Sequence, residues 1–223
     1  YSALVAAGVM PFHQAVSIVA ERGRLMQAAV AEGAGAMAAV LGLEDHVLIE
    51  ICERAAGDDV VACANFNSPG QVVISGDRNA VERASEMAKL AGARRVLPLP
   101  VSVPSHCLLM QGAATKLQET LGGTHFAEGS VPVIQNADAR AYTNADQVRE
   151  ALARQLWQPV RWTETIAALL DSGVSRFVEC GPSKVLAGLN RRISKESTIF
   201  ALINKTFMDQ AMDTGEANDH QLM

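Results

Sequence analysis

Three polar residues fall on helix faces that their neighbours mark as apolar, and each has a side chain able to do chemistry there. Arg22 comes three and four residues after Val19 and Ile18 and three and four before Leu25 and Met26, whereas Glu21 and Arg24 fall on the outer face. A guanidinium on such a stripe requires a carboxylate, which makes it either one half of a structural pair or a bidentate clamp for an anionic substrate. His106 follows Ser105, a residue suited to cap a helix, and shares a face with Leu109, Met110 and Ala113. The positive end of a helix disfavours imidazolium, so the ring is expected to stay neutral at about pH 7 and accept a proton, as a general base must. Gln155 lies seven residues after Val148 and beside Leu152 on a third inward stripe. Singly, a hydrogen-bonded core histidine and a glutamine satisfying backbone groups are sound readings. Together, on three helices, the residues point to a convergent site. Cys107, next to His106, belongs to a different helix face and reads as packing. His13, His46, His125 and His220 have no ligand spacing, and Cys52, Cys63, Cys107 and Cys180 form no CxxC pair, so no metal site is indicated.

The elements that must position these residues follow from periodicity. Residues 12–30 read as an amphipathic helix with a stripe of Ala15, Ile18, Val19, Leu25, Met26 and Ala29. From Ala36 the order becomes strand 37–41, helix 45–55, strand 60–65, strand 71–75, helix 80–91 and strand 94–100, with Asn67-Ser68-Pro69-Gly70 turning between the middle strands. That order is the split βαβ signature of a ferredoxin-like subdomain. A helix after Pro104-Ser105 to about Leu121, a short strand 131–136 and a helix 146–157 stopped by Pro159 come next. Helix 162–172, strand 176–180, helix 184–193 and strand 199–203 complete the pattern, and strands alternating with helices imply a mostly parallel α/β sheet. Tyr1–Gly8 reads as the body of a helix closed by glycine without its cap, and Tyr1 is no translation start. Strands and part of any site are therefore expected upstream of it. Residues 205–223 lack periodicity and are expected to fray.

Composition excludes several classes. The 223 residues are 49% apolar and 19% charged with a net charge of −5, the profile of a globular protein. No apolar run approaches the roughly 18 residues of a membrane span, and no signal segment is present, so a cytoplasmic location is expected. Net acidity with 4% aromatics argues against nucleic acid as a partner.

Four ordered strings carry a family resemblance: Glu21-Arg22-Gly23-Arg24-Leu25-Met26-Gln27, Asn65-Phe66-Asn67-Ser68-Pro69-Gly70-Gln71-Val72-Val73-Ile74-Ser75-Gly76, Val101-Ser102-Val103-Pro104-Ser105-His106 and Gly181-Pro182-Ser183-Lys184-Val185-Leu186. Together they resemble the bacterial malonyl-CoA:acyl carrier protein transacylases over residues 1–204. The resemblance implies an α/β-hydrolase-like acyltransferase domain (1–32 and 104–204), an inserted ferredoxin-like (βαββαβ) subdomain (33–103) and a flexible tail (205–223). It implies malonyl transfer from malonyl-CoA to the phosphopantetheine thiol of acyl carrier protein in fatty acid biosynthesis, with no cofactor beyond the coenzyme A thioester itself. His106 matches the base, Gln155 the position whose main-chain carbonyl orients it, and Arg22 the clamp for the malonyl carboxylate. Asn65 and Ser105 match residues lining the acyl pocket. The acylated serine, on a GHSxGE elbow, and an oxyanion-hole glutamine are expected ahead of Tyr1. Because acyl carrier proteins are acidic, docking is expected at local basic clusters, Arg94-Arg95 and Arg191-Arg192, the latter beside Lys195. A monomer without membrane or nucleic-acid partners is expected. An acyltransferase for another extender unit in polyketide synthesis, or a non-catalytic carrier-protein-binding module, remain the alternatives.

Overall fold

The structure is a computed structural model and describes residues 1–212. The chain divides into two compact units, Tyr1–Thr165 and the part from Ile166 onward.

In the first unit, α1 (Ser2–Ala6) and α2 (Phe12–Ala29) precede β1 (Gly35–Leu41), α3 (Asp45–Ala56), β2 (Val61–Ser68), β3 (Gln71–Asp77), α4 (Arg78–Leu90) and β4 (Arg95–Pro98). The four strands form one sheet in the order β2-β3-β1-β4, and every pairing in it is antiparallel. Alternation along the strands sends Ala38, Val40, Val72 and Ile74 into a core with Leu48, Ile51, Ala84 and Ala88 of α3 and α4, while Met37 and Val73 face the other way. A 3₁₀ turn (Leu108–Met110), α5 (Gln111–Gly122) and α6 (Ala145–Arg154) follow. They share a second core with α1 and α2, built from Leu4, Ile18, Met26, Met110, Leu117, Leu121, Val148, Leu152 and Leu156. In the second unit, β5 (Arg176–Glu179) pairs in parallel with β6 (Thr198–Ala201), and α8 (Val185–Ile193) connects them. Beyond β6 lies α9 (Lys205–Met212), and the division between units falls along α7 (Trp162–Asp171).

Several expectations need correcting. The expected mostly parallel sheet is not found: among the described residues parallel pairing is confined to β5–β6 and the single bridge Asn65↔Val160, and the turn at Pro69-Gly70, with Gly70 at φ 67°, is too short to join β2 and β3 in any way but antiparallel. Residues 131–136 form no strand beyond the single bridge Ile134↔Ala141, since Pro132 removes a ladder donor. Val19 is 45% exposed, as are its α2 neighbours Phe12 and Val16 to a greater degree, and the buried positions of α2 are Ala15, Ile18 and Met26. The helix expected from Ser105 begins only at Leu108, as the 3₁₀ turn, and α6 stops at Arg154 rather than Trp157. Residues 205–212 are helical rather than frayed, and the remainder of the expected tail lies outside the described residues. Among the described residues no helix is long and apolar enough to cross a membrane.

Gly76 marks the tightest point of the antiparallel sheet. A Cβ there would stand 2.0 Å from the Val60 carbonyl oxygen, a backbone atom with no room to yield. Gly76→Ala is therefore expected to destabilise the protein by about 3 kcal/mol, measured by urea unfolding.

Candidate active site

His106 stands ahead of the 3₁₀ turn, with φ 64°, in the left-handed region that a residue with a Cβ enters only when its surroundings hold it. Two carbonyls at the end of α6 supply that hold. The His106 backbone N–H donates to Leu156 O at 2.9 Å, and Nδ1 lies 2.8 Å from Gln155 O. A carbonyl can only accept, so Nδ1 carries the proton and Nε2 is left as the basic nitrogen. Burial lowers the His106 pKa, and the nearby positive charge of Arg22 lowers it further, against the opposing pull of the Gln155 and Gln158 backbones. The ring is thus kept neutral by desolvation and not by a helix terminus, since His106 lies in no helix and Ser105 caps nothing.

Gln155 meets the ring through its backbone, as the family resemblance implies, and not through the side chain that its spacing singled out. It is the C-cap of α6, with its N–H bonded to Ala151 O, and what it offers His106 is its main-chain carbonyl. His106 shares a cavity of about 330 Å³ with Ala62, Cys107, Trp157, Gln158 and Arg161. Cys107 is buried, donates its thiol to Pro104 O at 3.2 Å and has its pKa raised by burial, so it packs as an inert thiol. Neither His106 nor Cys107 is helical, so no opposition of helix faces separates them, contrary to expectation. A larger cavity of about 540 Å³ lies against Leu4, Val9, Phe126 and Val148 and contains none of the expected site residues.

Arg22 is half-buried on α2. Its Nε is buried without a hydrogen-bond partner, burial lowers its pKa, and among the described residues no carboxylate forms an ion pair with it. The ion pair that a structural role requires is therefore not found among the described residues, and the desolvated cation has no charged partner there.

Asn65 sits where β2 bulges: the register against β3 slips between Cys63 and Asn65. The slip lets β2 bond outside its own sheet, with Phe66 N donating to Val160 O at 2.9 Å and Val160 N to Ala64 O at 2.8 Å. Asn65 is half-buried in this junction, and Ser105 is half-buried beside His106 with its N–H on Val103 O. Arg94 and Arg95 are exposed at the start of β4. In the second unit Arg191 and Arg192 are exposed at the end of α8, where Arg191 donates to Ile199 O at 3.0 Å. Sequence reasoning missed Leu156, Trp157, Gln158 and Arg161. The one signal for them was Pro159, which has no N–H to offer the Gln155 carbonyl four residues back and so leaves it free to meet His106.

A family model described as acyl transferase domain matches residues 1–211. A malonyl CoA-acyl carrier protein transacylase of Escherichia coli K12 is 51% identical over 213 residues, covering 96% of this chain and 69% of that protein. The protein of the same name from Bacillus subtilis is 43% identical, over 99% of this chain and 70% of its own. Among solved structures, a malonyl-transacylase in complex with a type II PKS acyl-carrier protein matches with a TM-score of 0.94 at 47% identity, covering 96% of this chain and 69% of that one. The malonyl CoA-acyl carrier protein transacylase of Coxiella burnetii matches with a TM-score of 0.93 at 46% identity, covering 96% and 67%. With the family model spanning nearly the whole chain and half of all residues shared with such a relative, this chain, with its mixed α/β acyltransferase fold, belongs to the acyl transferase domain family.

Proposed function

We propose that this chain carries the base and the carboxylate clamp of a malonyl transferase, moving malonyl from malonyl-CoA to the phosphopantetheine thiol of acyl carrier protein in fatty acid biosynthesis. The observation that carries the reading is the Gln155 carbonyl on His106 Nδ1 at 2.8 Å, which leaves Nε2 as the proton acceptor. In the first half-reaction His106 takes the hydroxyl proton of the serine expected ahead of Tyr1, and the serine oxygen attacks the thioester carbonyl. The carbon–sulfur bond breaks, and His106 returns the proton to the departing coenzyme A thiolate. In the second, His106 takes the proton of the carrier-protein thiol, whose sulfur attacks the acyl-serine, and returns it to the serine oxygen. Arg22 pairs with the malonyl carboxylate throughout, and Asn65 and Ser105 line the acyl pocket. Exchange between a thioester and an oxygen ester needs a base and oxyanion donors, so the reading calls for no resident cofactor. A cytoplasmic, monomeric enzyme fits it.

The finer architecture belongs to the same proposal. The strand order β2-β3-β1-β4 supports a ferredoxin-like subdomain over 33–103, set into an α/β-hydrolase-like domain over 1–32 and 104–204.

The test uses the full-length protein with malonyl-CoA and holo acyl carrier protein, followed by intact mass of the carrier. Malonyl on the carrier thiol is the expected product, and its absence overturns the reading. Presenting carrier proteins of fatty acid and of type II polyketide synthesis side by side decides between the two pathways, an arm that the 47%-identical structural neighbour makes worth including.

Docking is expected at the exposed arginines. Reversing Arg191 and Arg192 to glutamate should raise the KM for carrier protein about tenfold and leave the malonyl-CoA half-reaction unchanged, with the defect shrinking as salt is added. Equal loss in both half-reactions would move the docking surface to Arg94 and Arg95.

A further inference from the structure

Both carbonyls that hold His106 belong to residues 155–161, a run of turns that is neither helix nor strand. The helix ladder reaches Gln155 through its N–H on Ala151 O and β2 holds Val160, but between these points the direction of the backbone depends on further groups. Its two ends are tied to one loop, residues 135–141. At the far end, Arg161 N donates to Asn136 O at 2.8 Å. At the near end, the Arg154 guanidinium bonds Asp138 Oδ2 at 2.7 Å, and Tyr142 Oη donates to the same oxygen at 2.7 Å. Glu150 Oε1, one turn back on α6, takes the other arm of Arg154 at 2.8 Å.

The loop itself is closed tightly enough to serve as an anchor. Gln135 N donates to Arg140 O at 2.8 Å, Ala139 N to Gln135 O at 3.0 Å and Arg140 N to Asp138 Oδ1 at 3.3 Å, around Ala139 at φ 54°. Arg154 and Asp138 side chains are each only 24% exposed, which sets this pair apart from the exposed pairs that contribute little. The Arg154 carbonyl in turn accepts from Trp157 N at 3.1 Å and Gln158 N at 2.9 Å, so the residue that is pinned by Asp138 also nucleates the turn. Gln155 is its immediate neighbour.

We infer that Arg154, clamped by Asp138 and Tyr142, is a positioning residue for the His106 base: it sets where the Gln155 carbonyl stands and, through it, how the imidazole is turned. The inference rests on the reading of His106 as the base. Arg154 touches neither substrate nor reacting atoms and acts only through the carbonyl next to it.

The experiment compares Arg154→Met, Arg154→Lys, Asp138→Asn and Tyr142→Phe in the full-length protein, reading the His106 ring by ¹⁵N NMR alongside kcat and KM for malonyl-CoA. In Arg154→Met the Nδ1–H signal should lose its hydrogen-bonded shift. The ring should also titrate at a lower pH, because the Gln155 bond that favours imidazolium is weakened. Arg22 of α2 is the charge that acts on the ring, Cys63 of β2, Cys107 and Arg161 are the other titratable groups lining its cavity, and all are retained in these variants. The kcat should fall on the order of 10- to 100-fold with little change in KM, and Arg154→Lys should recover part of it. A folded Arg154→Met protein with unchanged ring shift and titration overturns the inference. If that variant does not fold, the same two readouts in Asp138→Asn and Tyr142→Phe decide. Transfer surviving His106→Ala overturns the base reading separately, since the ring measurement requires no turnover.

Discussion

His106→Ala in the full-length protein is expected to reduce malonyl transfer about 10²- to 10⁴-fold in both half-reactions, the range for loss of a positioned general base. Both half-reactions depend on it because each begins by taking a proton from a weak nucleophile, first a hydroxyl and then a thiol. The sign of the pH dependence follows from the environment of the ring. Burial, aided by Arg22, lowers the His106 pKa, so the neutral ring persists below the ordinary histidine value of about 6.5. Transfer by the unaltered protein should therefore hold as pH falls through that value and decline only below it. In His106→Ala the residual rate should rise with hydroxide instead. Stopped-flow measurement of acyl-enzyme formation across this range checks both statements, and a loss smaller than tenfold would remove His106 from the role of base.

Arg22→Ala carries the second large effect, and its signature is selectivity. Losing the cation that meets a desolvated carboxylate costs about 2–5 kcal/mol, on the order of 30-fold or more in kcat/KM for malonyl-CoA. Acetyl-CoA has no carboxylate to lose, so its transfer should stay level or improve, and the preference for malonyl should collapse. Stability distinguishes this from a structural role. Breaking a buried structural pair costs about 3–5 kcal/mol, whereas removing a buried cation that has no ion pair among the described residues should leave urea stability unchanged or raised. Parallel assays with the two acyl donors and one unfolding curve suffice. Retained malonyl preference, or a large fall in stability, would return Arg22 to the role of a scaffold residue.

Much of this site was legible along the chain because its local chemistry is local in origin. Periodicity placed α2 within a residue of its observed bounds and put Arg22 on its inner side, since a helix repeats every 3.6 residues whatever it packs against. The order of elements from β1 to β4 was legible for the same reason, and Asn67–Gly70 announced the turn that makes β2 and β3 antiparallel. Four short strings in the right order named the family before any contact was known.

Other features arose only when distant segments met. His106 takes a left-handed backbone that no neighbour in sequence calls for. It does so because Leu156 and Gln155, 49 positions away in the case of Gln155, present carbonyls to its N–H and its Nδ1. The expected cause of its neutrality, a helix terminus, was replaced by burial, a property of the assembled cavity that no window of sequence contains. Gln155 shows the limit most clearly: spacing drew notice to its side chain, and only the family resemblance pointed to the main-chain carbonyl that meets the ring, because every residue owns a carbonyl. Side-chain identity and spacing are written in the sequence and survive folding unchanged. The direction of a backbone carbonyl and the dielectric around a ring exist only after the loop at 135–141, the turn after α6 and the segment before α5 have closed on one another.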